Sequence, residues 1–357
     1  MTRTLVAALV TLGDPGTLSG GYLFHRRLAE LAPTFDARLV FISFPSWPFP
    51  LPIAYGPWAI QAARRRAAQV LVLDSIAAAY LASWPTLGIP VVGMLHQPPG
   101  GIDHGPLRST LQAGLDRLAY RKAERLLVAS DSLADDLRHK LSRPERIHVV
   151  PPGRDVATTV AEAPEDVRRG RRAAFLSVGN WVERKGLLAL LDAFSALQPD
   201  AATLHLVGDT RVDERYAERV KARLRQPDLD GRVVVHGPIS TAEVAALYAA
   251  CDAFVLPSLK EPYGTVYGEA MAFGLPVVGW RAGNLPYLAD HERDGLLVRI
   301  GDVPRLTDAL RRLADDPLLR QRLGENARRR ADARPTWQDV AGLFFDHLRA
   351  VLDRTQE

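Results

Sequence analysis

Short, continuously apolar runs recur along this chain with helix-period segments between them, and that alternation restricts the fold more than any other feature. TLVAALV, ARLVFISF, QVLVLD, PVVGML, RLLVAS and IHVVP are interleaved with GYLFHRRLAELA, IAAAYLAS, PLRSTLQAGLDRLAYR and LADDLRHKL. Strands apolar at every position are buried on both faces, so they belong to a parallel sheet with helices on each side. A doubly wound α/β domain over residues 1–153 is expected. PPGRDVATTVAEAPEDVRRGRR then breaks the pattern with Pro, Gly and charge, as a linker does. Alternation resumes in AAFLSVG, LLALLDAFSAL, TLHLVG, RYAERVKARL, RVVVHG, AEVAALYAA, AFVLPS, VYGEAMAFG and LPVVGW, a second doubly wound domain over residues 154–335. In the tail, Trp337, Val340, Leu343, Phe344, His347, Leu348 and Val351 fall at helical spacing. This last helix, about residues 336–355, needs cover and is expected to pack back on the first domain. The architecture is two Rossmann-like domains facing across a cleft, with ligands at the strand C-terminal ends.

A length of 357 residues suits two domains, and 47% hydrophobic with 24% charged residues is globular composition. No apolar run approaches the roughly 20 residues that cross a bilayer. The opening MTRTLVAALV reads as a first strand in preference to a secretory leader, because Thr11 interrupts it and a Gly-rich turn follows. Cys251 is the one cysteine, which excludes a disulfide framework and a Cys-based metal cluster and suits a cytoplasmic protein. Lys and Arg less Asp and Glu give 17 minus 12, or +5, for residues 1–155 and 28 minus 29, or −1, for the remainder. The basic residues are scattered and form no recognised nucleic-acid module, so no nucleic-acid partner is expected.

EPYGTVYGE, Glu261 to Glu269, runs from a strand end through a turn into a helix. The unpaired amides of a first helical turn make an anion site, and small residues let a phosphate approach. A carboxylate accepts both hydroxyls of a diol, a role suited to Glu269, while Glu261 stands nearer the strand end. As solvated charges beside a helix start the two would need no ligand at all.

Context favours the ligand. The span from HGPISTAEVAALYAACDAFVLPS through KEPYGTVYGEAMAFGLPVVGWRAGN resembles the nucleotide-binding half of the retaining glycosyltransferases of family four, which have the GT-B fold. Residues 174–300 carry the likeness strongly and the first domain carries it loosely. The resemblance implies that Glu261 lies near the transferred sugar and Glu269 on the ribose, and that the amides of Gly264, Thr265 and Val266 meet the diphosphate and sugar hydroxyls. It also implies that Lys185, in SVGNWVERKG, lies on the phosphates and that Ile239, in HGPIS, packs the nucleobase. Asn180 stands where the family usually has Arg, which removes a cation from the leaving-group site; Arg184 is the candidate replacement, although adjacent side chains on an extended loop can point apart. In the first domain Gly20 and Gly21 resemble the glycines beside the donor phosphates, and His96, at a strand end, resembles the family's His near the donor sugar.

The reaction so implied is retaining, metal-independent transfer of a glycosyl (hexosyl) group from a nucleotide-sugar to a sugar, glycan or lipid-linked acceptor. Attack comes from the face that the diphosphate leaves, with no cofactor. Asp228-Leu229-Asp230 has the form of a metal-binding pair, but Pro227 and Gly231 mark a surface turn. The competing reading is a non-catalytic GT-B subunit that binds a nucleotide-sugar or a partner transferase, which Asn180 favours. The segment Phe44 to Trp58 is rich in aromatics and prolines and followed by Arg64, Arg65 and Arg66. It reads either as a rigid wall on its own domain or as a surface for peripheral contact with the inner face of the membrane.

Overall fold

A computed structural model describes residues 4–14, 16, 20–102, 105–140, 143–154 and 166–356. Residues 155–165 of the linker, and residues 15 and 17–19 of the glycine-rich turn, lie outside the described residues. The chain divides into two compact units, Met1–Gly153 with Pro335–Glu357, and Arg154–Arg334.

In the first unit β1 (Leu5–Leu12), β2 (Ala37–Phe44), β3 (Val70–Asp74), β4 (Val91–Leu95), β5 (Ala123–Val128) and β6 (Ile147–Val149) form one parallel sheet in the order β2-β1-β3-β4-β5-β6. Every residue of β3 and β4 is buried, which is why those runs carry no polar alternation. Strand order reverses between β1 and β3, so the segments leaving their C-terminal ends diverge there. The final helix, Trp337–Gln356, packs on helix Gly20–Leu31 and on β5. Its buried face is Val340, Ala341, Phe344, Phe345, Leu348 and Val351. Leu343, expected inside, is 40% exposed, and Phe345 takes its place against Phe35.

The second unit holds β7 (Ala173–Val178), β8 (Ala202–Val207), β9 (Val233–Gly237), β10 (Ala253–Val255), β11 (Val277–Trp280) and β12 (Gly295–Val298), again parallel, in the order β9-β8-β7-β10-β11-β12. Successive residues of β7 serve opposite faces. Ala173 and Phe175 join a core with Leu204, Val255 and Val278, while Ala174 and Leu176 join a second with Phe254, Leu256 and Val277. The reversal of order here falls between β7 and β10. Two doubly wound parallel sheets are thus present, as the apolar runs predict.

One local expectation fails. IAAAYLAS contributes a 3₁₀ turn, Ala78–Leu81, in place of a helix. Residues Ala77 to Leu81 are buried without exception, so no amphipathic stripe orients a helix, and Pro85 closes the segment. In the Phe44 to Trp58 stretch, a 3₁₀ turn over Leu51–Tyr55 leads into helix Gly56–Arg65, which tolerates Pro57 in its first turn because that amide has no helical partner.

Candidate functional site

Segments leaving β7 and β10, the two strands beside the reversal, build a charged cluster in the second unit. After β7 the chain passes Gly179 and Asn180 and closes a 3₁₀ turn, Glu183–Lys185. Gly186 ends that turn at φ 71°, where a Cβ would stand 2.1 Å from the carbonyl oxygen of Pro257. Only glycine lets the turn press so closely on the chain leaving β10. Two hydrogen bonds tie them: the Leu259 amide donates to the Arg184 carbonyl at 2.7 Å and the Ser258 hydroxyl donates to it at 3.0 Å.

Lys185, 8% exposed, forms a direct ion pair with Glu261 Oε2. Arg184 Nη1 stands 3.8 Å from the same oxygen and donates to the Lys260 carbonyl at 3.2 Å. The loop is therefore a tight turn where an extended segment was expected, and it brings both adjacent cations to one carboxylate. Asn180 is exposed, with its carbonyl accepting from the Val182 amide at 2.9 Å.

Gly264, at φ 78°, starts helix Thr265–Ala272, and no side chain caps its first amides. Thr265 and Val266 therefore present N–H groups at the positive end of the helix, a few residues from Glu261 in the chain. Asn284 holds the intervening turn. Its amide donates to the Glu261 carbonyl and its side-chain Nδ2 to the Tyr263 carbonyl, both at 2.9 Å. Glu269 is exposed, and its Oε2 accepts from the Tyr248 hydroxyl at 3.2 Å. Burial, then the charge of Glu269, pushes the Tyr248 pKa well up, so the hydroxyl keeps its proton. Ile239 is half-buried against the same core as Val266.

Asn284 and Tyr248 escape a reading of the sequence for charge and glycine. The signal for Asn284 was its place after Gly283, whose absent Cβ leaves room for Glu261 at 2.5 Å; Tyr248 looks like one more apolar position of its helix. Asp228 makes a two-bond pair with Arg223, at 2.9 Å for each bond, inside the turn that Pro227 begins. Cys251 is buried, and burial pushes its thiol up to about 12.

In the first unit His96 follows β4 directly and is half-buried. Gly20 opens helix Gly20–Leu31, and Gly21, one residue on, lies where a Cβ would be 3.6 Å from His96 Cδ2. The ring of Phe24 meets His96 edge-on, with centroids 4.9 Å apart, and His25 Nε2 is 2.9 Å from His96 Nε2.

Two family models match the chain: "Glycosyltransferase Family 4" over residues 8–158 and "Glycosyl transferases group 1" over residues 161–330. The MMP alpha-(1->4)-mannosyltransferase of Mycolicibacterium hassiacum is 37% identical over 63% of this chain and 53% of its own. The D-inositol 3-phosphate glycosyltransferase of Pseudarthrobacter chlorophenolicus is 29% identical over 68% of this chain and 59% of its own. This chain thus spans little more than half the length of these two relatives. Among solved structures, sucrose-phosphate synthase from Thermosynechococcus elongatus is similar at a TM-score of 0.81 and 22% identity, over 98% of this chain and 100% of that one, which makes the fold GT-B. With both sheets accounted for by that fold and the two models together running through both units, the chain belongs to the family 4 glycosyltransferases.

Proposed function

We propose that the protein transfers a glycosyl group, with retention of configuration and without a metal, from a nucleotide-diphosphate sugar to a hydroxyl acceptor. The observation that carries this reading is the convergence of Lys185 and Arg184 on Glu261, one turn of chain from the uncapped amides of Thr265 and Val266. Cleavage of a sugar–phosphate bond leaves charge on the diphosphate, and preorganised donors aimed at that charge are the largest single source of rate. Lys185, Arg184 and the two amides are such donors. Glu261 holds both cations in place and offers its carboxylate to the sugar hydroxyls. We assign Glu269 to the ribose diol, with Tyr248 keeping it oriented, Ile239 to the base, Gly20 and Gly21 to the phosphates, and His96 to the transferred sugar.

Arg184 takes over the charge that Asn180 lacks, which favours catalysis over a subunit that only binds. Metal independence is supported by the pairing of Asp228 with Arg223, which leaves the Asp228-Leu229-Asp230 turn poorly suited to chelation. Turnover should survive EDTA. The deciding experiment incubates the purified chain with UDP-, GDP- and ADP-sugars and a panel of sugar and lipid-linked acceptors, following nucleotide release and the anomeric signal of the product by NMR. Binding of donor with neither hydrolysis nor transfer would sink the enzyme reading, and an inverted anomer would sink retention.

A second observation bears on the acceptor. Trp47, Leu51 and Trp58 are 47%, 58% and 50% exposed, and Arg64, Arg65 and Arg66 are exposed on the adjoining helix end. Aromatic rings beside basic residues suit an anionic lipid interface, so we place a lipid-linked acceptor and peripheral membrane contact ahead of a freely diffusing sugar. No described helix is long and apolar enough to cross a membrane.

A further inference from the structure

The functional reading leaves a buried polar chain in the first unit unused. At the end of β1, Thr11 Oγ1 donates to Asp74 Oδ2 at 2.7 Å. Asp74, the last residue of β3, presents the same oxygen to His25 Nδ1 at 3.6 Å, while His25 Nε2 lies 2.9 Å from His96 Nε2. Thr11 and His25 are fully buried and Asp74 is 3% exposed. The His96 amide donates to Ser75 Oγ at 3.2 Å, and that hydroxyl donates to Asp74 Oδ1 at 3.3 Å. Reversal of strand order makes β1 and β3 neighbours, which sets Thr11 beside Asp74, and helix Gly20–Leu31 brings His25 to the same carboxylate.

Metal ligation fits the distances poorly. The donor atoms of His25, Asp74 and His96 lie within 4.8 Å of one another. Two nitrogens on one tetrahedral zinc stand about 3.3 Å apart, given bonds of about 2.0–2.1 Å; 2.9 Å between rings is the separation of a direct hydrogen bond.

A bond between two Nε2 atoms needs one proton, and the carboxylate decides which ring supplies it. Were His25 the donor, its bare Nδ1 would face Asp74 lone pair to lone pair in a buried site. With the proton on His25 Nδ1, the N–H lies on the side of the carboxylate, 3.6 Å from Asp74 Oδ2 and so in electrostatic contact without a hydrogen bond, and Nε2 is free to accept. His96 must then carry its proton on Nε2, which leaves His96 Nδ1 bare. Burial holds both rings neutral, each pushed down to about 3.

We infer that Asp74 and His25 are positioning residues that fix His96 in the tautomer whose Nδ1 only accepts. His96 in that state accepts a hydroxyl hydrogen of the transferred sugar and cannot act as an acid. The role at the sugar rests on the proposed function; the tautomer does not. The outer carboxylate of a carboxylate–histidine–metal triad sets its ring in the same manner.

The test is long-range ¹H–¹⁵N NMR of the intact protein labelled at histidine, with signals assigned through His25→Gln and His96→Gln. The expected spectrum has His25 protonated at Nδ1 and His96 protonated at Nε2. A His96 proton on Nδ1, or both rings shifting together on stoichiometric zinc, would overturn the inference. In Asp74→Asn, checked for fold by circular dichroism, both rings should lose their single tautomer, and turnover should fall roughly 10- to 100-fold with the nucleotide affinity unchanged, the scale of outer-shell losses. An unchanged His96 tautomer in that folded variant would also overturn it. If the free protein shows the expected tautomers but no donor is turned over, the relay stands and the transferase reading falls.

Discussion

Lys185 and Glu261 stand 76 positions apart in the chain and form one ion pair, because the first follows β7 and the second follows β10, neighbours at the reversal of strand order. Neither side chain is exposed beyond 12%. A pair so enclosed is held by its surroundings, and removing one partner leaves the other charge poorly compensated. Lys185→Ala should reduce turnover by roughly 100-fold or more, as loss of one preorganised donor does. Arg184 should keep the protein folded by remaining beside Glu261. Near-normal nucleotide release by the variant would remove Lys185 from the reaction.

The two carboxylates should separate by substrate. Glu269→Gln weakens a charge-assisted contact to the ribose, so affinity for free nucleotide and for donor should fall together by about 10-fold. Glu261→Gln should spare free nucleotide and lower turnover of the sugar nucleotide. Calorimetry with both ligands checks this, and equal losses of plain nucleotide affinity would contradict the assignment.

Asn284→Ala removes the donor to the half-buried Tyr263 carbonyl and should cost about 1 kcal/mol, the net worth of an ordinary hydrogen bond. The turn bearing Glu261 should loosen with it and donor KM should rise. Chemical denaturation and steady-state kinetics measure the two effects. A stable variant with altered KM would still place Asn284 in the site, whereas no change in either would show that the Gly283 contact alone holds the turn.

Acid should destabilise the protein partly through His25. Its folded pKa, about 3, lies below the ordinary 6.5, so between these values the unfolded chain binds a proton that the folded one refuses. Stability from this group is complete above about pH 6.5 and is lost as pH falls toward 3, at about 1.4 kcal/mol per pH unit. Burial raises Asp74, and Asp116 to about 6, and these carboxyls act in the opposite direction below their raised values. Comparison with His25→Gln isolates the histidine: the variant's urea midpoint should fall less between pH 7 and pH 5 than that of the native protein. Identical slopes would show that His25 is protonated in the folded state.

Trp47→Ser with Leu51→Ser should weaken sedimentation with vesicles rich in anionic lipid, and salt should weaken it further. Phe49 is left in place because it packs on the core near Tyr80, with Arg108 5.7 Å from its ring centroid. Failure of the native protein to sediment at low salt would leave the loop as a wall of its own unit.

How much of this could be read in advance follows from burial. Strands such as VLVLD and VVGML are legible because residues packed on both faces must all be apolar, a demand that leaves a continuous mark. Helix Pro317–Asp332 and the four-residue β12 carry a weaker pattern, one heavily charged and the other a short edge strand. Leu306, Ala309, Leu310 and Leu313 give helix Val303–Asp315 a clear helical period, which a reading for apolar runs passes over. EPYGTVYGE announced a turn entering a helix, and glycines at positive φ, such as Gly264, mark where the backbone needed room.

The partnerships lay beyond the sequence. Side-chain periodicity reports which residues are inside, but strand order is settled by how the whole sheet packs, and that order alone set Lys185 against Glu261 and Asp74 beside His25. The 3₁₀ turn that turns Arg184 toward Glu261 depends on the Pro257 carbonyl pressing against Gly186, a contact between segments more than seventy residues apart. The sequence determined the elements, the chemistry of each end and the family resemblance. Tertiary packing decided which charges meet and which histidine nitrogen faces a carboxylate, because those depend on distances of a few ångströms between segments that local propensity leaves independent.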